Sequence, residues 1–120
     1  MPPERVPIEI KLHQKSRVME IRFQDGREFR LPYEYLRVYS PSAEVRGHGP
    51  GQEVLQTGKR DIEIRALEAV GSYAVQPVFS DGRSTDIYSW DYLYELGEKQ
   101  AELWAQYLAK LEAASASRDK

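Results

Sequence analysis

The chain has 120 residues, 41% of them hydrophobic and 30% charged, which is the size and balance of one globular domain. It contains no cysteine, which excludes disulfides, thiolate zinc sites, cysteine-held iron–sulfur clusters and a cysteine nucleophile. With 17 Lys and Arg against 19 Asp and Glu, the net charge of -2 gives no global attraction to nucleic acid or to an anionic membrane.

Residues 1–13, MPPERVPIEIKLH, carry prolines and a charge pair where a signal peptide needs an apolar run, and no stretch approaches the ~20 apolar residues of a membrane span. The expected location is the cytoplasm. Within that start, VPIEIKL alternates apolar with polar, as a half-buried strand does, and Pro7 suits a strand beginning or an edge. Residues 17–31, RVMEIRFQDGREFRL, place two alternating runs around Asp25-Gly26, which predicts a hairpin with a two-residue turn. Pro32 ends that ladder. The next seven residues, YEYLRVY, have room for a short helical turn before Ser40-Pro41 forces extended backbone.

From Ser40 to Lys59 the chain holds four glycines and two prolines and no sustained period, so a long loop is expected. Residues 61–70, DIEIRALEAV, read as a strand that Gly71-Ser72 interrupts, and YAVQPVFSDGRSTDIY reads as a second hairpin turning at Asp81-Gly82. Ser89 reads as a helix N-cap with Asp91 in the first turn. Beyond it Leu93, Gly97, Ala101, Trp104, Leu108 and Leu111 mark one face of an amphipathic helix, and Gly97 is either a break or a point of close packing. Residues 115–120, SASRDK, have nothing to bury and are expected to be disordered. The expected fold is therefore α+β: one small, mostly antiparallel β domain over residues 6–114, with two Asp-Gly hairpins, short helical turns and a C-terminal amphipathic helix.

Phe23-x-Asp25-Gly26-Arg27, followed by Leu31 and a Tyr-Leu pair, recurs as Phe79-x-Asp81-Gly82-Arg83, followed by Ile87 and a Tyr-Leu pair one residue further on. Two units are too few to separate a repeat from a coincidence of Asp-Gly hairpins. Motifs for chemistry are scarce. There is no phosphate-cradling GxxxxGK[ST], GxGxxG, HExxH or GxSxG, and in GHGPG Pro50 removes an amide donor. Asp25 and Asp81 are explained by turn chemistry, and Asp86 and Asp91 by solvation and helix capping. A metal reading would need His48 and Glu44, with His13 or Asp91, to converge on an ion. The ten Tyr and Trp residues include Trp90 and Tyr92, types that interaction surfaces enrich. Charge is uneven: residues 1–31 hold seven Lys and Arg against five Asp and Glu, and residues 85–114 hold two against six, an asymmetry that either orients a partner or is incidental.

The runs LRVYSPSAEVRGHG, VGSYAV and DGRSTDIYSWDYLYELG closely resemble the bacterial stand-alone form of the domain that begins gamma-butyrobetaine hydroxylase, over roughly residues 8–97. The resemblance implies a small β-rich domain that holds a structural zinc and aids dimer assembly in the hydroxylases but lacks the catalytic iron; similar domains are joined to P-loop carriers that deliver iron–sulfur clusters. The zinc ligands of that family come from a Cys-Pro-Cys-x-x-Cys run after a Leu-Arg pair and from a His after the second hairpin turn. At the matching positions this chain has Ser40, Ser42, Val45 and Arg83, a set without zinc-ligand chemistry, so no metal or other cofactor is expected. No enzymatic activity is carried over, because a two-His, one-carboxylate iron triad has no counterpart.

These observations lead to an expected non-enzymatic interaction or accessory module in iron–sulfur or other metalloprotein assembly, with Arg37, Ser40, Ser42, Glu44, Arg46, His48, Trp90 and Tyr92 as its contact patch. The expected partner is a protein, either a cluster carrier or a metalloenzyme, together with weak self-association and neither nucleic acid nor membrane. The alternative is a metal- or small-ligand-binding domain using residues 40–51.

Overall fold

A computed structural model describes residues 6–41 and 55–119. The first unit is a three-stranded antiparallel meander, β1 (Pro7–His13), β2 (Val18–Phe23) and β3 (Glu28–Pro32), followed by helix α1 (Tyr33–Val38). Alternation along β2 and β3 buries Met19, Ile21, Phe23, Phe29 and Leu31, leaving Glu20, Arg22, Glu28 and Arg30 on the other face. The second unit repeats the plan with β4 (Ile64–Val70), β5 (Ala74–Phe79), β6 (Tyr88–Ser89) and helix α2 (Trp90–Glu98), after which α3 (Gln100–Ala113) follows. No helix of the described residues is long and apolar enough to cross a membrane.

The two Asp-Gly turns share one geometry, and it differs from the two-residue turn predicted. Phe23 N–H donates to the Arg27 carbonyl and Gly26 N–H to the Phe23 carbonyl, and Phe79, Arg83 and Gly82 repeat both bonds. Three residues thus close each turn, with the glycine alone at positive φ, 89° at Gly26 and 91° at Gly82. Each aspartate accepts from the backbone N–H two residues on, Arg27 at 2.8 Å and Arg83 at 3.1 Å, which locks the turn.

The second hairpin departs from expectation in a further way. Gly71-Ser72 is itself the turn joining β4 to β5, while the return strand after Asp81 stays away from β5 until Tyr88 and Ser89 pair with Val75 and Ala74. Pro77 fits the gap: it pairs with Leu67 of β4 on one edge and, having no N–H, has no donor to offer a strand on the other.

Helix α1 is buried on every side, Glu34 and Arg37 included, so it is the centre of the domain. Around it Tyr33, Tyr35, Leu36, Phe79, Tyr88, Leu93 and Leu96 fill one core, and Val38, Tyr107 and Leu111 form a smaller one beneath α3. The echo in the sequence corresponds to a real two-unit plan, and the units exchange anchors. Tyr35 OH donates to the Leu96 carbonyl and Tyr92 OH to the Tyr39 carbonyl, both at 2.6 Å. Arg37 Nε reaches Asp81 in the second turn at 2.8 Å, and Tyr94 OH reaches Asp25 in the first at 2.5 Å.

The long helix divides at Lys99, two residues beyond Gly97. Gly97 itself is a close approach: a Cβ there would lie 2.3 Å from the Phe29 ring. Of the predicted apolar face, Leu93 and Leu111 are buried, whereas Ala101 and Leu108 are exposed and Tyr107 is buried in their place. Of the tail at residues 115–120, residues 115–119 are described, and they are hydrogen-bonded. Ala116 N–H donates to the Leu111 carbonyl and Ser115 N–H to the Glu112 carbonyl, which is a Schellman turn with Ser115 at a φ of 52°. That turn sends residues 116–119 back onto the body, where Gly58 N–H and Arg60 N–H donate to the Ser117 and Arg118 carbonyls.

Candidate interaction site at the second hairpin turn

The last turn of α1 and the second Asp-Gly turn meet at a chain of charged groups. Asp81 Oδ2 accepts from Arg37 Nε at 2.8 Å and from Lys59 Nζ at 2.7 Å. Burial pushes the Asp81 carboxyl up, but Lys59, the Arg83 N–H and Arg37 outweigh it and hold the group at about 2. Two residues on, Arg83 Nε donates to Asp86 Oδ2 at 2.8 Å, and the Asp86 side chain is 1% exposed. Arg37 Nη1 and Asp86 Oδ1 are buried without a hydrogen-bond partner.

Between these pairs stands Tyr88, fully buried, whose hydroxyl donates to the Leu36 carbonyl at 2.5 Å and is also hydrogen-bonded to the Ser40 side chain. Burial pushes its ionisation far up, with Asp86 and Tyr92 adding to the effect against Arg37 and Ser40. Tyr88 therefore stays a neutral donor at physiological pH, and the cluster works as a hydrogen-bonded joint between the two units.

This arrangement revises the predicted contact patch. Arg37 and Ser40 are 5% and 1% exposed, so they face the joint and not a partner. Burial of α1 on all sides, which the local pattern of a six-residue helix does not reveal, is the reason. Tyr92 is half-buried and spends its hydroxyl on the Tyr39 carbonyl. Ser42, Glu44, Val45, Arg46 and His48 lie outside the described residues, so the loop alternative over residues 40–51 does too, except for Ser40 and Pro41.

Trp90 is partly buried against the core. Its Nε1 donates to the Ser72 carbonyl at 2.8 Å and its N–H to the Tyr73 carbonyl at 3.0 Å, which pins the indole beside the β4–β5 turn. Tyr73, which the sequence did not single out, is 52% exposed there, and Ile87, just before β6, is 43% exposed. The alternation of β6, which buries Tyr88, turns Ile87 to the other side of the sheet.

Two of the four zinc positions, Ser40 and Arg83, lie among the described residues. Ser40 is hydrogen-bonded to Tyr88 and Arg83 is paired with Asp86, and neither residue type binds zinc at neutral pH. These residues do not fit the ion. His13 Nε2 is 3.0 Å from Glu20 Oε1 across β1 and β2, whereas Asp91 sits in the first turn of α2. Among the described residues no three His, Asp or Glu side chains gather closely enough to hold a metal.

Comparison with known proteins places these features in context. A sequence model described as gamma-butyrobetaine hydroxylase-like, N-terminal, matches residues 10–94. Two solution structures determined by NMR are 45% and 53% identical, with TM-scores of 0.83 and 0.81. The first match covers 97% of this chain and 91% of the other, the second 93% and 83%. A crystal structure from Acidithiobacillus ferrooxidans ATCC 23270, described as a protein of unknown function in the DUF971 family, is 39% identical with a TM-score of 0.68, over 81% of this chain and 98% of that one. No curated protein gives a significant match.

Proposed function

The chain belongs to the gamma-butyrobetaine hydroxylase-like, N-terminal family, and from that premise we propose that it is a non-enzymatic protein-interaction module whose contact face centres on Trp90 and Tyr73. One observation carries the reading. Tyr73 is 52% exposed next to Trp90, whose indole is anchored through Nε1 to the Ser72 carbonyl and whose backbone N–H holds the Tyr73 carbonyl, so an exposed aromatic side chain stands on an ordered backbone beside an anchored indole. The charged groups of the joint, by contrast, are bound to one another: Asp81 is saturated by Arg37, Lys59 and the Arg83 N–H, and Asp86 is held by Arg83. They support a structural role. The family resemblance supplies the setting, an accessory role in iron–sulfur or other metalloprotein assembly inside the cytoplasm, with a cluster carrier or metalloenzyme as the partner.

The test is anaerobic affinity capture with the wild-type chain and a Tyr73→Ser variant, with metal measured on each eluate. A metalloprotein recovered by the wild type and lost with the variant is the expected result. An identical partner set from both baits, or a metal bound stoichiometrically to the bait alone, overturns the proposal.

A further inference from the structure

The segment after α3 rests in a groove that has the chemistry of a peptide site. On its floor lies Glu34, 6% exposed in the first turn of α1, and Arg118 binds it with two parallel bonds, Nη2 to Oε1 at 2.7 Å and Nε to Oε2 at 2.8 Å. The same guanidinium stands 5.1 Å from the centre of the Trp104 ring. On one wall, Gly58 and Arg60 each donate a backbone N–H at 3.0 Å to the Ser117 and Arg118 carbonyls, and Arg60 Nε donates to Asp119 at 2.6 Å.

This is recognition by main-chain hydrogen bonds plus one side-chain pocket, which is how proteins read extended peptides. The pocket discriminates. A lysine cannot bridge both oxygens of a buried carboxylate while lying flat on an indole, and an empty pocket strands the Glu34 charge. The occupant also fills the groove incompletely: a cavity of about 140 Å³ remains beside Arg118 and Asp119, lined by Lys59, Asp61, Ser80 and Asp81. A larger side chain next to the arginine has room that Ser117 and Asp119 do not use.

We propose that this groove is an arginine-reading peptide site, held shut in cis by Ser117–Asp119 and open to an extended, arginine-bearing segment of a partner protein when that strap is displaced. It lies apart from the Tyr73 and Trp90 face, so either can fail alone. The strap competes as a tethered ligand at an effective concentration on the order of millimolar, which sets the affinity a foreign segment must exceed.

The test uses the full chain carrying Arg118→Ala and a fluorescein-labelled peptide of residues 114–119, followed by anisotropy. The variant is expected to bind the peptide roughly tenfold or more tightly than the wild type does, because its own strap no longer competes. Replacing the peptide's arginine with lysine, or adding Glu34→Gln to the variant, removes the binding. Equal or absent binding to wild type and folded variant overturns the proposal, as does binding that survives Glu34→Gln. Should Arg118→Ala not fold, the wild type is titrated to several millimolar peptide by NMR. Movement of the Gly58 and Arg60 amides and the Trp104 indole supports the site, and unmoved signals overturn it.

Discussion

Replacing Gly97 with alanine sets two effects of opposite sign against each other. In a helix interior alanine is favoured over glycine by about 1 kcal/mol, so propensity alone predicts a more stable protein. The structure predicts the reverse. A Cβ at position 97 would lie 2.3 Å from Phe29 Cγ and 2.5 Å from both Cδ atoms, where ordinary contact begins at 3.4 Å. The ring has little freedom to withdraw: it is 8% exposed, and Phe23 and Tyr94 meet it edge-on at centroid distances of 6.0 and 5.4 Å. Overpacking of this kind costs about 3 kcal/mol at the upper end of its usual range, which leaves a net loss of about 2 kcal/mol after the helical gain. For a chain of this length that lowers Tm by about 8 °C. Thermal and urea unfolding followed by far-UV circular dichroism measure it. The pairing with Phe29 is checked by a double-mutant cycle, in which Phe29→Leu recovers part of the loss in the Gly97→Ala background while destabilising the wild type. A Gly97→Ala protein as stable as the wild type, or an additive cycle, would refute the reasoning.

Two further outcomes follow from the polar contacts. Asp81 is held at about 2 in the folded chain against 3.8 when free, despite burial pushing it up, so its contribution is complete above pH 4 and is lost as pH falls towards 2. With a fifth of the side chain exposed, that contribution is about 1–2 kcal/mol. The urea midpoint of the wild type should therefore fall more between pH 6 and pH 3 than that of Asp81→Asn, and parallel curves would show that the carboxylate does not carry the effect. Ser115→Gly should raise stability by about 1 kcal/mol, since a residue at a φ of 52° gains from losing its Cβ. The signature is a higher urea midpoint at unchanged slope; a lower midpoint would mean that the Schellman turn does not set the cost.

Period and punctuation carried most of the architecture. The alternation in Met19, Ile21 and Phe23, the two Asp-Gly pairs and Ser89 as an N-cap all stand where local pattern puts them, because each records a choice made within a few residues. What escaped depends on distance. Gly97 needs Phe29 to explain it, Pro77 needs the end of β6, and the tail needs both Glu34 and an N–H pair at residues 58 and 60. Local pattern also gives residue type without orientation. Arg37 and Ser40 read as contacts because they are polar and follow a short helix, yet that helix is enclosed. Exposed Tyr73 had a usable signal in its place at the β4–β5 turn, directly opposite Trp90.

The exchange of anchors bears on how the domain comes apart. Tyr35 and Arg37 hold groups of the second unit, and Tyr92 and Tyr94 hold groups of the first. Opening either sheet therefore strips bonds from the helix of the other, and neither half has a lower-lying partly open state in which it keeps its own contacts. The expected outcome is concerted unfolding across both halves, with the slowest-exchanging amides in native-state hydrogen exchange divided between β2 and β5. A chain severed between the units leaves two fragments that are incomplete alone and complementary to each other.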